Sequence, residues 1–355
     1  MKVAFFIRSN HKEVGGGDLT QIYSTADGLR KIGIEVKYFS ECTADISAYD
    51  IVHCFNSPRF EETKAFFENA LRYSKPIAFS TIYWSKVEQA VGIANNPIVP
   101  LMQHSLGLGA TKALWARLKH LQSYVKGDNS RKIEKWLFQR ATILLPNSEG
   151  EERELERAYR LRPRKHLVVR NAIDIDAYRN KPTNGRKDYV LSVGRIERRK
   201  NTKKLIMACA KLELPLVLIG GADTGDEYVQ DCMKLIEAHS FKYLAHMTPA
   251  KLLKYYYEAR VHALVSWYET PGLSSMEAAC GGCAIVSTDR GSTKEYFKDM
   301  VYYCDPFAQG SIEGALQRAW TNGAHPKLRR YILHNYTWDL AARDTLQSYQ
   351  EALHV

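Results

Sequence analysis

Two carboxylates eight residues apart frame the segment whose residue types point most directly to chemistry, Ser266-Trp267-Tyr268-Glu269-Thr270-Pro271-Gly272-Leu273-Ser274-Ser275-Met276-Glu277. The apolar run His262 to Val265 predicts a buried strand that enters this loop, and Pro271-Gly272 opens a helix expected over 273–281. Backbone N–H groups at a helix start are unpaired and carry the positive end of the dipole, so they can hold a phosphate. Glu269 falls on the loop beside that anion site. Glu277 falls in the first turns of the helix, where a carboxylate accepts hydrogen bonds from sugar or ribose hydroxyls. Ser274-x-x-Glu277 also fits a capping box, in which Glu277 only satisfies a backbone donor. Both readings of Glu277 stand at this point.

Cations that suit an anionic ligand come from Ser192-Val193-Gly194-Arg195-Ile196-Glu197-Arg198-Arg199-Lys200-Asn201. Gly194 closes a strand expected over 189–193, Arg195 projects from its carboxyl end, and Lys200 begins the next helix. Arg195 offers a planar fork and Lys200 a point charge to a diphosphate. Arg198 and Arg199 read as a solvated helix start.

These residues need elements to hold them, and the chain supplies alternating short apolar runs and amphipathic helical patterns from end to end, the mark of βα units building parallel sheets. In the first half the pattern predicts strands at 2–7, 35–39, 50–54, 76–81 and 142–146, with helices at 19–32, 60–73, 111–125 and 130–140 and another from 149. A second series starts at Leu167-Val168-Val169. It continues through strands 189–193, 215–219, 262–265 and 284–287 and helices 201–212, 227–238, 249–258 and 273–281. The fold class expected is α/β, with two Rossmann-like domains facing a cleft, the first over 1–165 and the second over 166–336, and a segment 337–355 whose helix has no strand after it and packs elsewhere than on its own sheet. Ligands of open α/β sheets bind at the carboxyl ends of the strands, which makes that cleft the expected site. Neither half carries G-x-G-x-x-G after its first strand, which argues against a nicotinamide or flavin cofactor.

Taken together, Val193-Gly194-Arg195 with Lys200, the E-x7-E pair Glu269 and Glu277, Asn171-Ala172-Ile173-Asp174, and Gly16-Gly17 after the first strand resemble the retaining glycosyltransferases of family 4, which have the GT-B fold. The resemblance is strong from about Leu167 to Phe297 and topological before that. It implies transfer of a sugar from a nucleotide diphosphate sugar to a glycan, glycolipid or glycoprotein acceptor, with retention at the anomeric carbon, no required metal and no cofactor. By position, Arg195 and Lys200 would hold the diphosphate and stabilise the leaving group. Glu269 would sit by the donor sugar, with Thr270, Pro271, Gly272 and Leu273 along the phosphates and sugar. Glu277 would bind the ribose, Gly16 and Gly17 would approach the diphosphate, and His246 would stand near the base, where Leu252 could pack. Two departures accompany the match. Glu269-Thr270-Pro271-Gly272 replaces the more usual Glu-Gly-Phe-Gly, giving a stiffer loop. Tyr83 stands where relatives often have a nearby histidine, so either Tyr83 binds substrate or that histidine is not needed.

Other signals have plainer readings. Cys280-Gly-Gly-Cys283 lacks the second pair a zinc site needs and reads as small buried residues. Asp174-Ile175-Asp176 imitates a metal-binding D-x-D but suits a turn. Tyr255-Tyr256-Tyr257 reads as helix packing, and His104 as a lone histidine. Of the 355 residues 45% are hydrophobic and 25% charged, which excludes a disordered chain. Apolar runs are too short to span a bilayer, and seven cysteines without a signal peptide suit a reducing, cytoplasmic setting. Net charge is +11, and eight Lys/Arg against Asp128 and Glu134 lie between Lys112 and Arg140. Within it, 112–126 has a leucine face ringed by cations and reads as a peripheral contact with an anionic membrane, as a solvated helix or as a seat for a polyanionic acceptor. Rivals to the transferase reading are a polyanion or nucleic-acid-binding protein and a nucleotide-sugar isomerase of the same fold. No nucleic-acid partner is expected.

Overall fold

A computed structural model describes residues 1–12, 16–56, 59–84, 129–160, 165–179 and 185–354. The expected helix at 111–125, His104 and the basic segment 112–126 lie outside the described residues. The described residues fall into two compact units, one holding residues up to 172 and from Tyr336 onward, the other Ile173 to Asn335.

The first unit begins with β1 (Lys2–Phe6), whose Val3, Ala4, Phe5 and Phe6 are all buried. Such an unbroken apolar run is what a parallel strand covered on both faces requires. It is followed by α1 (Gly17–Lys31), β2 (Glu35–Phe39), β3 (Ile51–Phe55), α2 (Phe60–Arg72), β4 (Ile77–Ser80), α3 (Ser130–Arg140), β5 (Ile143–Leu144) and α4 (Glu149–Tyr159). The five strands are parallel in the order β2-β1-β3-β4-β5, so the chain reverses its direction of travel beside β1.

At the carboxyl ends of β4 and β5 the loops are tied by one buried carboxylate. Ser148 caps α4 by accepting from the Glu151 N–H at 2.9 Å. The Glu151 carboxylate accepts from the backbone N–H of Tyr83 at 2.7 Å, from that of Asn147 at 2.8 Å, and from the Thr81 hydroxyl. This anchors the backbone at Tyr83, whose ring, expected either to bind substrate or to stand where no histidine is needed, turns inward. It is 9% exposed and packs on Phe138 and Tyr159 in the aromatic layer below the sheet.

Leu167-Val168-Val169, expected to open the second series of strands, belongs to the first unit instead. Leu167 N–H donates to Leu144 O at 3.0 Å and Val169 N–H to Pro146 O at 3.0 Å, so the segment runs beside β5. Val169 and Ala172 bury their side chains in the first unit's core, and the units divide after Ala172, later than the expected boundary at 165.

The second unit contains β6 (Lys187–Val193), α5 (Thr202–Lys211), β7 (Leu216–Ile219), α6 (Glu227–Ala238), β8 (Lys242–Leu244), α7 (Pro249–Glu258), β9 (Ala259–Leu264), α8 (Leu273–Gly281), β10 (Ala284–Thr288), α9 (Thr293–Phe297), β11 (Tyr302–Cys304), α10 (Gln309–Asn322) and α11 (Leu328–Asn335). Its six parallel strands run β11-β10-β9-β6-β7-β8. The switch point is between β6 and β9, where Leu191 faces His262 in register. Ligand crevices open at the carboxyl side of such a point because the connections on either side leave in opposite directions.

The last helix, α12 (Trp338–Leu353), packs on α1 of the first unit. The two helices meet at Gly28, where a Cβ would come 2.8 Å from Ala342 Cβ and 3.0 Å from Trp338 O. Tyr349, fully buried, reaches His53 on β3: its hydroxyl is 2.6 Å from Nδ1, while Nε2 is 2.9 Å from Ser80 Oγ on β4. Both ring nitrogens are thus satisfied by hydroxyls that can donate or accept. Burial pushes the His53 pKa down to about 3, so the ring is neutral. Replacing Tyr349→Phe removes one partner and strands a buried ring nitrogen. Denaturant unfolding should register a loss of about 1 to 3 kcal/mol, and unchanged stability would show that the bond contributes nothing.

Candidate functional site

The site is built on the carboxyl ends of β6 and β9. Beyond β6 the backbone opens at Gly194 (φ 155°), and Gly220 (φ 155°) lies against it so closely that a Cβ there would collide with the Gly194 carbonyl. Arg195 follows with its side chain 61% exposed, held loosely by Glu197 at 3.5 Å. A single 3₁₀ turn, Arg198–Lys200, then leads to Asn201 in the left-handed region (φ 55°). Lys200 therefore precedes the helix and does not begin it, since α5 starts at Thr202. Asn201 fastens this turn by donating to Val265 O and to Pro306 O, both at 3.2 Å, which links the β6 side of the site to the exit of β9.

Beyond β9, the loop is pinned to the same turn and to the next connection. Trp267 N–H donates to Arg199 O at 3.0 Å, and Ser292 N–H donates to Glu269 O at 2.9 Å. Glu269 is 6% exposed. Its Oε1 accepts from Ser266 Oγ at 2.6 Å and Lys200 Nζ at 2.7 Å, with Arg199 Nη1 3.5 Å away. Burial pushes the Glu269 carboxyl up, but Lys200, Arg199 and the hydrogen bonds outweigh it and hold the group below the usual carboxylate range. The Lys200 amine moves down, because burial exceeds the pull of Glu269. Arg199, expected to be solvated, is instead part of the centre: its side chain is 27% exposed, it forks onto Glu197 at 3.1 and 3.2 Å, and it lies over the Tyr268 ring. Arg198 does point outward, near Asp226 and over Tyr228.

The start of α8 rules out Glu277 as a capping-box residue. Gly272 (φ 83°) is the N-cap, with no side-chain cap, so Ser274 lies inside the first turn and the capping box does not form. The half-buried Glu277 carboxylate accepts from Tyr256 Oη at 2.7 Å. Burial pushes its pKa up to about 7, and that hydrogen bond draws it partly back. Pro271 and Gly272 are buried, and Thr270 and Leu273 are half-buried. Below the helix start, His262 is fully buried with Nδ1 3.4 Å from Ser275 Oγ.

Lys200 and Glu269 are brought together, along with Arg199 and Ser266, which the sequence did not single out. Arg195 stands on the same strand exit. His246 is exposed after β8, two residues past its end. Gly16 caps α1 and Gly17 begins it, beside the ion pair of Arg8 Nε with Asp18 Oδ2 at 2.9 Å. Asp174 Oδ1 accepts from the Asp176 N–H at 3.1 Å, a turn closure. Cys280 and Cys283 are buried free thiols, and the Cys283 thiol donates to Tyr256 O at 3.1 Å. Among the described residues no three His, Cys, Asp or Glu side chains group to hold a metal.

With this geometry in hand, the chain can be set against known proteins. Residues 174–336 match the family described as Glycosyl transferases group 1. The N-acetylgalactosamine-N,N'-diacetylbacillosaminyl-diphospho-undecaprenol 4-alpha-N-acetylgalactosaminyltransferase of Campylobacter jejuni is 25% identical over 84% of this chain and 84% of its own length. Sucrose-phosphate synthase from Thermosynechococcus elongatus superposes with a TM-score of 0.77 at 14% identity, covering 99% of each chain. A protein of Anabaena in complex with UDP and glucose superposes with a TM-score of 0.69 at 13% identity, again over 99% of each. The fold is GT-B, and the match to the group 1 glycosyltransferase family lies within the second unit.

Gly291 is what lets the loop at Glu269 lie where it does. At φ 85° it pairs with Glu269, and a Cβ would collide with the Glu269 carbonyl oxygen and come 2.8 Å from its nitrogen. Gly291→Ala should cost about 1 to 3 kcal/mol in thermal unfolding, whereas Gly310→Ala, with nothing within 4 Å of the added methyl, should cost nothing. Equal behaviour of the two variants would refute the close-approach argument.

Proposed function

We propose that the protein is a retaining, metal-independent hexosyltransferase of family 4 that moves a sugar from a nucleotide diphosphate sugar to a glycan, lipid-linked or protein acceptor. The observation that carries the reading is the buried Lys200–Glu269 pair at the strand switch point, with the uncapped start of α8 three residues beyond Glu269 and the exposed Arg195 on the exit of β6. Fixed positive charge there offsets the charge that develops on a departing diphosphate, and it needs no reorganisation at the moment of bond breaking. Arg195 and Lys200 hold the diphosphate, and Thr270 to Leu273 line the phosphates and the sugar. Glu269 accepts from sugar hydroxyls, Glu277 takes the ribose hydroxyls, and His246 stands by the base. The relative from Campylobacter jejuni acts, by its name, on a diphospho-undecaprenol-linked glycan, which supports a lipid-linked acceptor here. The leucines and cations that alternate along the sequence of 112–126 suit an acceptor held at an anionic membrane.

Two measurements test the reading. Arg195→Ala should weaken nucleoside diphosphate binding by about 1.5 to 3 kcal/mol while leaving nucleoside binding unchanged. Equal losses for both ligands would remove Arg195 from the diphosphate site. Because Glu277 titrates near 7, its carboxylate is charged above that pH and protonated below it. Donor affinity by calorimetry should therefore rise as pH increases through 7, and Glu277→Gln should abolish the rise. A pH profile indifferent to this substitution would take Glu277 off the ribose.

A further inference from the structure

Lys200 has two claims on it. In the free protein its ammonium sits 2.7 Å from Glu269 Oε1, yet the diphosphate role given to it above requires the same ammonium. A diphosphate that draws Lys200 away removes the closest counter-ion of a carboxylate whose side chain is only 7% exposed. An unpaired charge at that depth is strongly disfavoured. Something else must neutralise Glu269 at that moment.

A second cation already faces the same oxygen. Arg199 Nη1 stands 3.5 Å from Oε1 and 3.5 Å from Tyr268 O, too far for a full hydrogen bond while Ser266 and Lys200 occupy Oε1 at 2.6 and 2.7 Å. Its guanidinium is aimed by two contacts: Nε and Nη2 fork onto Glu197, and the plane lies 5.6 Å from the Tyr268 ring centroid. Among the described residues, the other groups around Glu269 cannot do this work. Ser266 is a neutral donor, and His262 is fully buried and kept neutral, its pKa pushed down to about 3 chiefly by burial. Glu197 is itself an anion. Arginine keeps its charge in any such setting, and its several N–H groups let it hold Glu197 and gain a second carboxylate together.

We propose that Arg199 is a positioning residue that takes over Glu269 Oε1 as counter-ion when Lys200 engages the donor diphosphate. The exchange keeps the Glu269 carboxylate ionised and in one orientation through the reaction, with Oε2, which takes none of the three donors, left for substrate. It rests on the reading of Lys200 as a diphosphate ligand.

A binding cycle with inorganic pyrophosphate on the full chain tests this by calorimetry. Without Arg199, freeing Lys200 strands Glu269, so Arg199→Gln should weaken pyrophosphate about tenfold. With the carboxylate already neutral there is nothing to strand, so the same change in a Glu269→Gln background should alter affinity by less than about twofold. Arg199→Lys should restore most of the loss. Arg199→Met, which keeps the apolar stem against Tyr268, repeats the cycle independently should the glutamine variant not fold. An equal loss in both backgrounds would overturn the proposal, since it would mean that Arg199 touches the phosphate or serves the fold alone. Failure of the wild-type protein to bind pyrophosphate in a Lys200-dependent way would instead overturn the diphosphate role of Lys200, and this inference with it.

Discussion

The contact between Lys200 and Glu269 is the one around which the second unit's site is arranged. A buried ion pair adds little to stability over a well-packed apolar pair, because both groups give up water to form it. Its presence at a strand switch point therefore reflects a need for the charges themselves. Much of the surrounding structure holds the pair in place: Asn201 anchors the cationic turn to the exits of β9 and β11, Arg199 O receives the Trp267 N–H, and Ser292 N–H takes the Glu269 carbonyl. Trp267 in turn packs on Phe307 and under the Lys204 amine, so the loop is braced by apolar contact as well as by hydrogen bonds.

Two glycines give the backbone the room this arrangement demands. Gly220 allows β7 to end against the Gly194 carbonyl, and Gly291 allows the loop after β10 to pair with Glu269 itself. Both set where Arg195 and Glu269 can stand. Preorganisation of this kind puts the conformational cost into folding, so that little is left to be met on binding.

Much of the framework was legible in the sequence because it is local. The helices at 130–140, 227–238, 249–258 and 273–281 follow from period and breakers, and the structure has them at those bounds. Strand β9 begins at Ala259, earlier than its apolar core suggested, because Arg260 is polar and sits half-buried within the strand. What escaped was decided by tertiary neighbours. Leu167-Val168-Val169 looks like any strand opening, and only its hydrogen bonds to Leu144 and Pro146 assign it to the first sheet. Arg199 sits in a run of three cations, and nothing in that run marks it as the one facing a carboxylate. Tyr83 turns inward because Glu151, far along the chain, grips its backbone. Ser274 and Glu277 carry the spacing of a cap, yet Gly272 starts the helix two residues sooner, and the carboxylate goes to Tyr256.

The link from Tyr349 to His53 has a consequence for how the chain is made. The two residues are 296 positions apart, and α12 contributes Ala341, Ala342, Tyr349 and Ala352 to the core under β1 and β3. A ribosome delivers those side chains after the strands of the second unit. The six strands of the second unit's sheet, all between Lys187 and Cys304, are made before then. The first unit starts its synthesis before the second and completes its core after it, with His53 waiting for a hydroxyl made 296 residues later. A truncated product would therefore carry an intact second unit beside an open first one, exposing apolar surface for quality control to find.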